Sequence, residues 1–119
     1  MTSIQLLLTL ATVVALAAGQ VLFKLAARGF AQFGWSVGAV LGNIHLWLAL
    51  VVYGGATLVW IYVLTMVPLK LAYPFVALSF VVVPLLAHSL LHEPLHWQQM
   101  AGAAIIVLGV WVSSLGAAL

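Results

Sequence analysis

The sequence predicts an all-α membrane protein of four transmembrane helices that works as a dimer. Hydrophobic residues make up 67% of the chain and charged residues 3%, whereas about a quarter of the residues of a soluble domain are charged. Four apolar stretches of about 20 residues, the length a bilayer core requires, nearly exhaust the 119 residues. The dimer is a further expectation, because four helices alone enclose a path across the membrane poorly. Zero cysteines exclude a disulfide framework and any thiolate metal site. The three basic residues form no cluster, so no nucleic acid is expected as a partner.

The first span runs from about Ser3 to Ala27 and is uncharged from Ile4 through Phe23. Its leading MTSIQ lacks the positive start of a secretory signal, so the stretch reads as a transmembrane helix. Gly29, Gly34, Gly38 and Gly42 then break the pattern into a loop or interfacial segment, whose Phe30, Phe33 and Trp35 suit the headgroup belt. The second span covers about His45 to Met66. VPLK, Val67 to Lys70, is a tight connection in which Pro68 ends the helix. The third span covers about Leu71 to Leu91; Pro74 and Pro84 bend it and free backbone groups that neighbours must satisfy. HEPLHW turns the chain, and the fourth span fills Trp97 to about Ala118. Residues 1–119 read as a single four-helix transmembrane domain.

Four spans put the polar residues on definite sides. The N-terminus, Lys70 and the C-terminus share one membrane face, while Lys24, Arg28, His45, His92, Glu93 and His96 gather at the other. The sole carboxylate therefore lies at the level of the two basic residues of the first helix. The basic charges are too evenly divided between the faces for the positive-inside rule to set an orientation.

Each of these residues has a structural and a functional reading. Lys24 either snorkels, with its stem in lipid and its ammonium at the headgroups, or engages a ligand. Arg28, one turn on, reads more as an interfacial anchor. Gln20, one turn deeper on the Lys24 face, either hydrogen-bonds a neighbouring helix or completes with Lys24 a donor ladder for an anion. Glu93 either complements the positive start of the last helix, with Pro94 in its first position, or pairs with Lys24 or Arg28. His88, His92 and His96 stand four residues apart, but Pro94 interrupts the stripe and no metal is expected. Gly102 and Gly109 lie on one face of the fourth span, where small residues allow close helix approach in lipid. That face packs within the chain or forms the dimer interface. No paired nucleophile and base is present, so neither an enzyme nor a cofactor is expected.

GQVLFKLA in the first span, VPLKLAYPFVALSFVVVP leading into the third, and LHEPLHWQQMAGAAIIVLGV at the end together resemble the drug/metabolite transporter superfamily. Within it they most resemble the small four-helix subunits of the flippase for undecaprenyl-phosphate-linked aminoarabinose. The family's Gly-Gln followed by Lys is matched by Gly19, Gln20 and Lys24, its Ala-Tyr-Pro by Ala72, Tyr73 and Pro74, and its His-Glu-Pro by His92, Glu93 and Pro94. Trp60 fits as well, so the resemblance covers nearly the whole chain. The related small multidrug resistance transporters share the four-helix plan but need a glutamate in the first helix. The matching position here is Leu16, which argues against drug–proton antiport.

The resemblance implies a multi-pass transporter of the bacterial inner membrane that moves a polyprenyl-phosphate-linked sugar. Its partners would be the lipid-linked sugar phosphate, membrane lipid, and a second four-helix subunit in a homodimer or heterodimer. On this reading Lys24 engages the phosphate, Gln20 and the polar groups around Tyr73 receive the sugar, and Arg28 and Glu93 complete the cluster. The proline-bent third span is the movable wall. Two alternatives stay open: an exporter of small molecules or cationic drugs, with Glu93 as its only coupling carboxylate, and a non-transporting subunit that stabilises a partner.

Overall fold

Thr2 opens the first helix with a reciprocal cap. Its hydroxyl accepts from the Gln5 amide at 3.3 Å, and its own amide donates to Gln5 Oε1 at 3.0 Å, which satisfies two donors that a helix start leaves free. In the computed structural model, which describes residues 1–116, α1 then runs Ser3–Phe33. It continues through Gly29 and past the expected end at Ala27, and stops where Gly34 takes a positive φ of 83°. At 1.5 Å per residue, about 20 residues cross the bilayer core. Lys24 therefore stands at the edge of the core, and the last turns of α1 rise through the headgroup layer. There the Phe30 and Trp35 rings stack with centroids 4.3 Å apart, and the chain turns back through α2, Val37–Gly42. This short helix occupies the stretch expected as a loop or interfacial segment.

α3, Ile44–Leu64, returns across the membrane. Asn43 ties its start to α1: Oδ1 accepts from the Leu46 amide at 3.2 Å, and Nδ2 donates to the Ala26 carbonyl at 2.9 Å. Small residues let α1 and α3 lie close, with Ala17, Ala49 and Ala56 all buried. Helices in lipid are held by such packing, since burial from water does not drive them together. Gly19 faces the Tyr53 ring so closely that a methyl there would meet Cδ2 at 3.2 Å, and Phe23 stands edge-on to the same ring. Thr9 and Thr12 are buried, but each hydroxyl donates to the carbonyl four residues back at 2.8 Å, which leaves no orphan polar group. At the far end Val63, Val67 and Ala72 form a small core, with Leu8, Trp60, Leu64 and Leu71 against it.

The third span is divided into α4, Leu69–Val76, and α5, Ser79–Leu91, where one bent helix is expected. At the junction the Ala77 amide donates to Pro74 O at 3.1 Å and the Leu78 amide to Phe75 O at 3.0 Å, a tighter winding than the α-helix. Proline has no N–H, so Pro74 gives none to the Lys70 carbonyl and Pro84 none to the Phe80 carbonyl. α5 packs along α1. α6, Trp97–Leu115, completes the set; the expected end near Ala118 lies outside the described residues. Val110 is its one buried residue among those described. The described chain thus holds four apolar spans, Ser3–Phe33, Ile44–Leu64, Leu69–Leu91 and Trp97–Leu115, each long enough to cross a membrane.

Candidate functional site

The turn after α5 places the chain's only carboxylate. His92 adopts the left-handed conformation, φ 57° and ψ 31°, which histidine tolerates better than most side chains. Its amide and that of Glu93 both donate to the Ala87 carbonyl, while the Glu93 carbonyl lies 2.9 Å from His88 Nδ1. Both backbone polar groups of Glu93 are thus held by α5, and its side chain turns towards α1. Lys24 Nζ lies 3.9 Å from Glu93 Oε1, with the two side chains 52% and 39% exposed. This is a loose pair, worth at most about 1 kcal/mol in water, and a competing anion can displace it.

Gln20, one turn deeper than Lys24, lines the same pocket. That pocket has a volume of about 240 Å³, and Val83, Ala87 and Leu91 of α5 form its opposite wall. A neighbouring pocket of about 290 Å³ shares Gln20 and Val83 and continues to Ser79, Phe80 and Pro84. The two form a groove between α1 and α5. It has a charged pair at its mouth, a carboxamide below and apolar sides. Such a groove can hold an anion at headgroup level beside a polar group that sits deeper.

Arg28 lies at the rim. Its Nη2 donates to the Leu91 carbonyl at 3.4 Å, so a cation meets the negative end of α5. Tyr73 is placed elsewhere, on α4, lining a separate pocket with Leu16, Tyr53, Thr57 and Trp60. Gln20 and Tyr73, both expected to receive the sugar, thus line different pockets, because α4 presents Tyr73 towards the α1–α3 side. Glu93 does not cap the last helix. The N-cap of α6 is His96, whose amide donates to Gln99 Oε1 at 2.9 Å, and Pro94 stands outside the helix. Leu16 lies among aromatic rings, with no carboxylate lining that pocket. Gly102 and Gly109 have open space where a side chain would project.

Two features escape sequence reasoning. The left-handed His92 carries no glycine or asparagine signal. The bond from Asn43 to Ala26 joins a helix cap to a residue that is distant in sequence, and only the hint of an Asn before an apolar run announces the cap itself.

Comparison with known proteins identifies relatives of the chain. The chain is 36% identical over 93 residues, 78% of its length and 82% of the relative's, to a Pseudomonas savastanoi pv. phaseolicola protein named "Probable 4-amino-4-deoxy-L-arabinose-phosphoundecaprenol flippase subunit ArnE". A protein of the same name from Pseudomonas aeruginosa is 40% identical over 106 residues, covering 87% of this chain and 90% of the relative. Another from Sodalis glossinidius is 47% identical over 66 residues, 54% of this chain and 60% of the relative. No solved structure matches the chain. The EamA-like transporter family profile matches residues 2–115. With that match across nearly its whole length and four spans able to cross a bilayer, the chain belongs to the EamA-like transporter family and is a multi-pass protein of the bacterial inner membrane.

Proposed function

We propose that this single four-helix domain is one subunit of a flippase for a polyprenyl-phosphate-linked aminosugar, of the kind its relatives are named for. The observation that carries the reading is the loose Lys24–Glu93 pair at the mouth of a groove whose next polar residue is Gln20. A lipid-linked sugar has an anionic phosphate at headgroup level, a polar sugar that must cross, and a tail that stays in lipid. Lys24 receives the phosphate by a charge-assisted contact. Glu93, 3.9 Å away, competes for the same ammonium, so the phosphate is held without being trapped.

Gln20 lies about 6 Å deeper along α1 and offers both donor and acceptor to the sugar. On the opposite wall Pro84 leaves the Phe80 carbonyl without its helical N–H, an acceptor suited to an amino group. The α4–α5 junction at Ala77 and Leu78 is the hinge on which that wall moves. No bond in the substrate is made or broken.

The relatives are named as subunits, and a second copy or a second four-helix chain completes the path here. The exposed α6 face with Gly102 and Gly109 receives it. Reconstitution tests the proposal. Liposomes containing this chain, alone or with a four-helix partner, should move a labelled undecaprenyl-phosphate aminosugar between leaflets faster than empty liposomes. If neither does so while the same preparations exchange protons for a cationic dye, the exporter reading replaces this one.

A further inference from the structure

A larger pocket, of about 680 Å³, lies on the other side of Arg28 from the groove, between the last turns of α1, α2 and the first turn of α3. Arg28, Gln32, Ser36 and His45 bring hydrogen-bond donors to it, and Phe33 and Ile44 give it an apolar side. No carboxylate lines it, since the chain's one carboxylate, Glu93, belongs to the Lys24 groove. Counting about 20 residues of bilayer core from the start of α1 puts the pocket at headgroup level. Lys24 already marks the edge of the core, and Phe33 and Trp35 beside the pocket are 72% and 78% exposed, as residues of an aromatic belt are. The guanidinium of Arg28 has five N–H donors, and its bond to Leu91 uses only one nitrogen. The 21-residue α3 begins at this pocket and α1 ends there, so the two helix dipoles oppose one another and the Arg28 charge sets the sign of the pocket.

We infer that this pocket holds the phosphate of an anionic phospholipid as a resident ligand, separate from the transported lipid. Arginine and neutral donors favour a phosphate, and the apolar side accepts the first carbons of the lipid chains. The contrast with the Lys24 groove distinguishes a resident from a passenger. There a carboxylate competes with the bound anion for the cation; here no carboxylate does so. A lipid in this position joins α1, α2 and α3 at the end where Asn43 already ties α3 to Ala26. The inference rests on charge and membrane level, and does not require Lys24 to bind substrate.

The test uses the purified full chain in phosphatidylcholine nanodiscs, with phosphatidylglycerol added, and reads lipid retention by native mass spectrometry. The wild type should retain phosphatidylglycerol in preference to phosphatidylcholine. A Gln32→Leu/His45→Leu double variant should lose about tenfold in that retention, while its affinity for undecaprenyl phosphate stays unchanged. Equal retention of the two phospholipids by the wild type, or undiminished retention by the double variant, overturns the inference. So does a parallel loss of undecaprenyl phosphate, which would make the pocket part of the transport path. If the double variant does not fold, a photoactivatable phosphatidylglycerol on the wild type decides: labelling within residues 28–45 supports a resident lipid, and labelling confined to other residues rejects it.

Discussion

Arg28 donates from Nη2 to the carbonyl of Leu91 at 3.4 Å, which holds the end of α5 against α1 one turn beyond Lys24. The bond keeps Glu93 within reach of Lys24, and it links two residues 63 positions apart whose proximity only the topology of four spans announces.

Arg28→Ala releases that end of α5. The expected outcome is a small loss of thermal stability in detergent, on the order of 1 kcal/mol for one long, part-buried hydrogen bond, with transport falling less than for a change at Lys24. Measured side by side, an Arg28→Ala defect as deep as that of Lys24→Ala would place Arg28 in direct contact with the phosphate.

Glu93→Gln keeps the side chain's size and removes the competitor for the Lys24 ammonium. Binding of undecaprenyl phosphate should match or exceed that of the wild type, while transfer between leaflets slows. Because His96 and Gln99 make the α6 cap, the melting temperature should stay within a few degrees. A large drop in stability with unchanged transport would assign Glu93 a structural role.

Gly19→Val tests the α1–α3 contact, where even a methyl would meet Tyr53 at 3.2 Å. Overpacking of this kind costs about 1–3 kcal/mol, more than the gain of up to about 1 kcal/mol from replacing glycine in a helix. Gly54→Ala on α3, where nothing lies within 4 Å of the new methyl, should be neutral or stabilising. Equal effects of the two substitutions on the unfolding midpoint would remove the close approach from the account.

Gly102→Leu and Gly109→Leu probe the open face of α6. Each should reduce cross-linked dimer, with itself or with a second four-helix chain, and leave the monomer's helix content unchanged. Full cross-linking by both variants would move the interface to another face.

Much of the arrangement is legible in the residues. The apolar runs set the four spans, and counting spans brings Glu93 to the level of Lys24 and Arg28. The pairing itself needs the turn at His92, whose left-handed backbone is a tertiary outcome carried by a residue with no strong signal for it. The pocket that Tyr73 lines is not legible in the sequence for a related reason. The α4–α5 junction sets the rotation of α4, and two prolines announce a bend without stating which face it turns inward. The glycines after Ala27 read as breakers, yet Gly29 stays helical, leaving room for Asn43, whose Nδ2 would lie 3.1 Å from an added methyl.

The central claim is that Lys24 holds the substrate's phosphate, and the most direct measurement is leaflet-to-leaflet transfer of a labelled undecaprenyl-phosphate aminosugar in liposomes carrying wild type, Lys24→Ala or Lys24→Arg, with whichever partner activity requires. Losing a charge-assisted contact of about 1.5–3 kcal/mol should cut lipid-phosphate affinity by about 10- to 100-fold in Lys24→Ala and bring its transfer to the empty-liposome rate, with the fold intact. Lys24→Arg should keep part of the activity, since charge persists with altered geometry. Wild-type transfer by a folded Lys24→Ala protein would contradict the account and leave Lys24 as an anchor at the membrane surface.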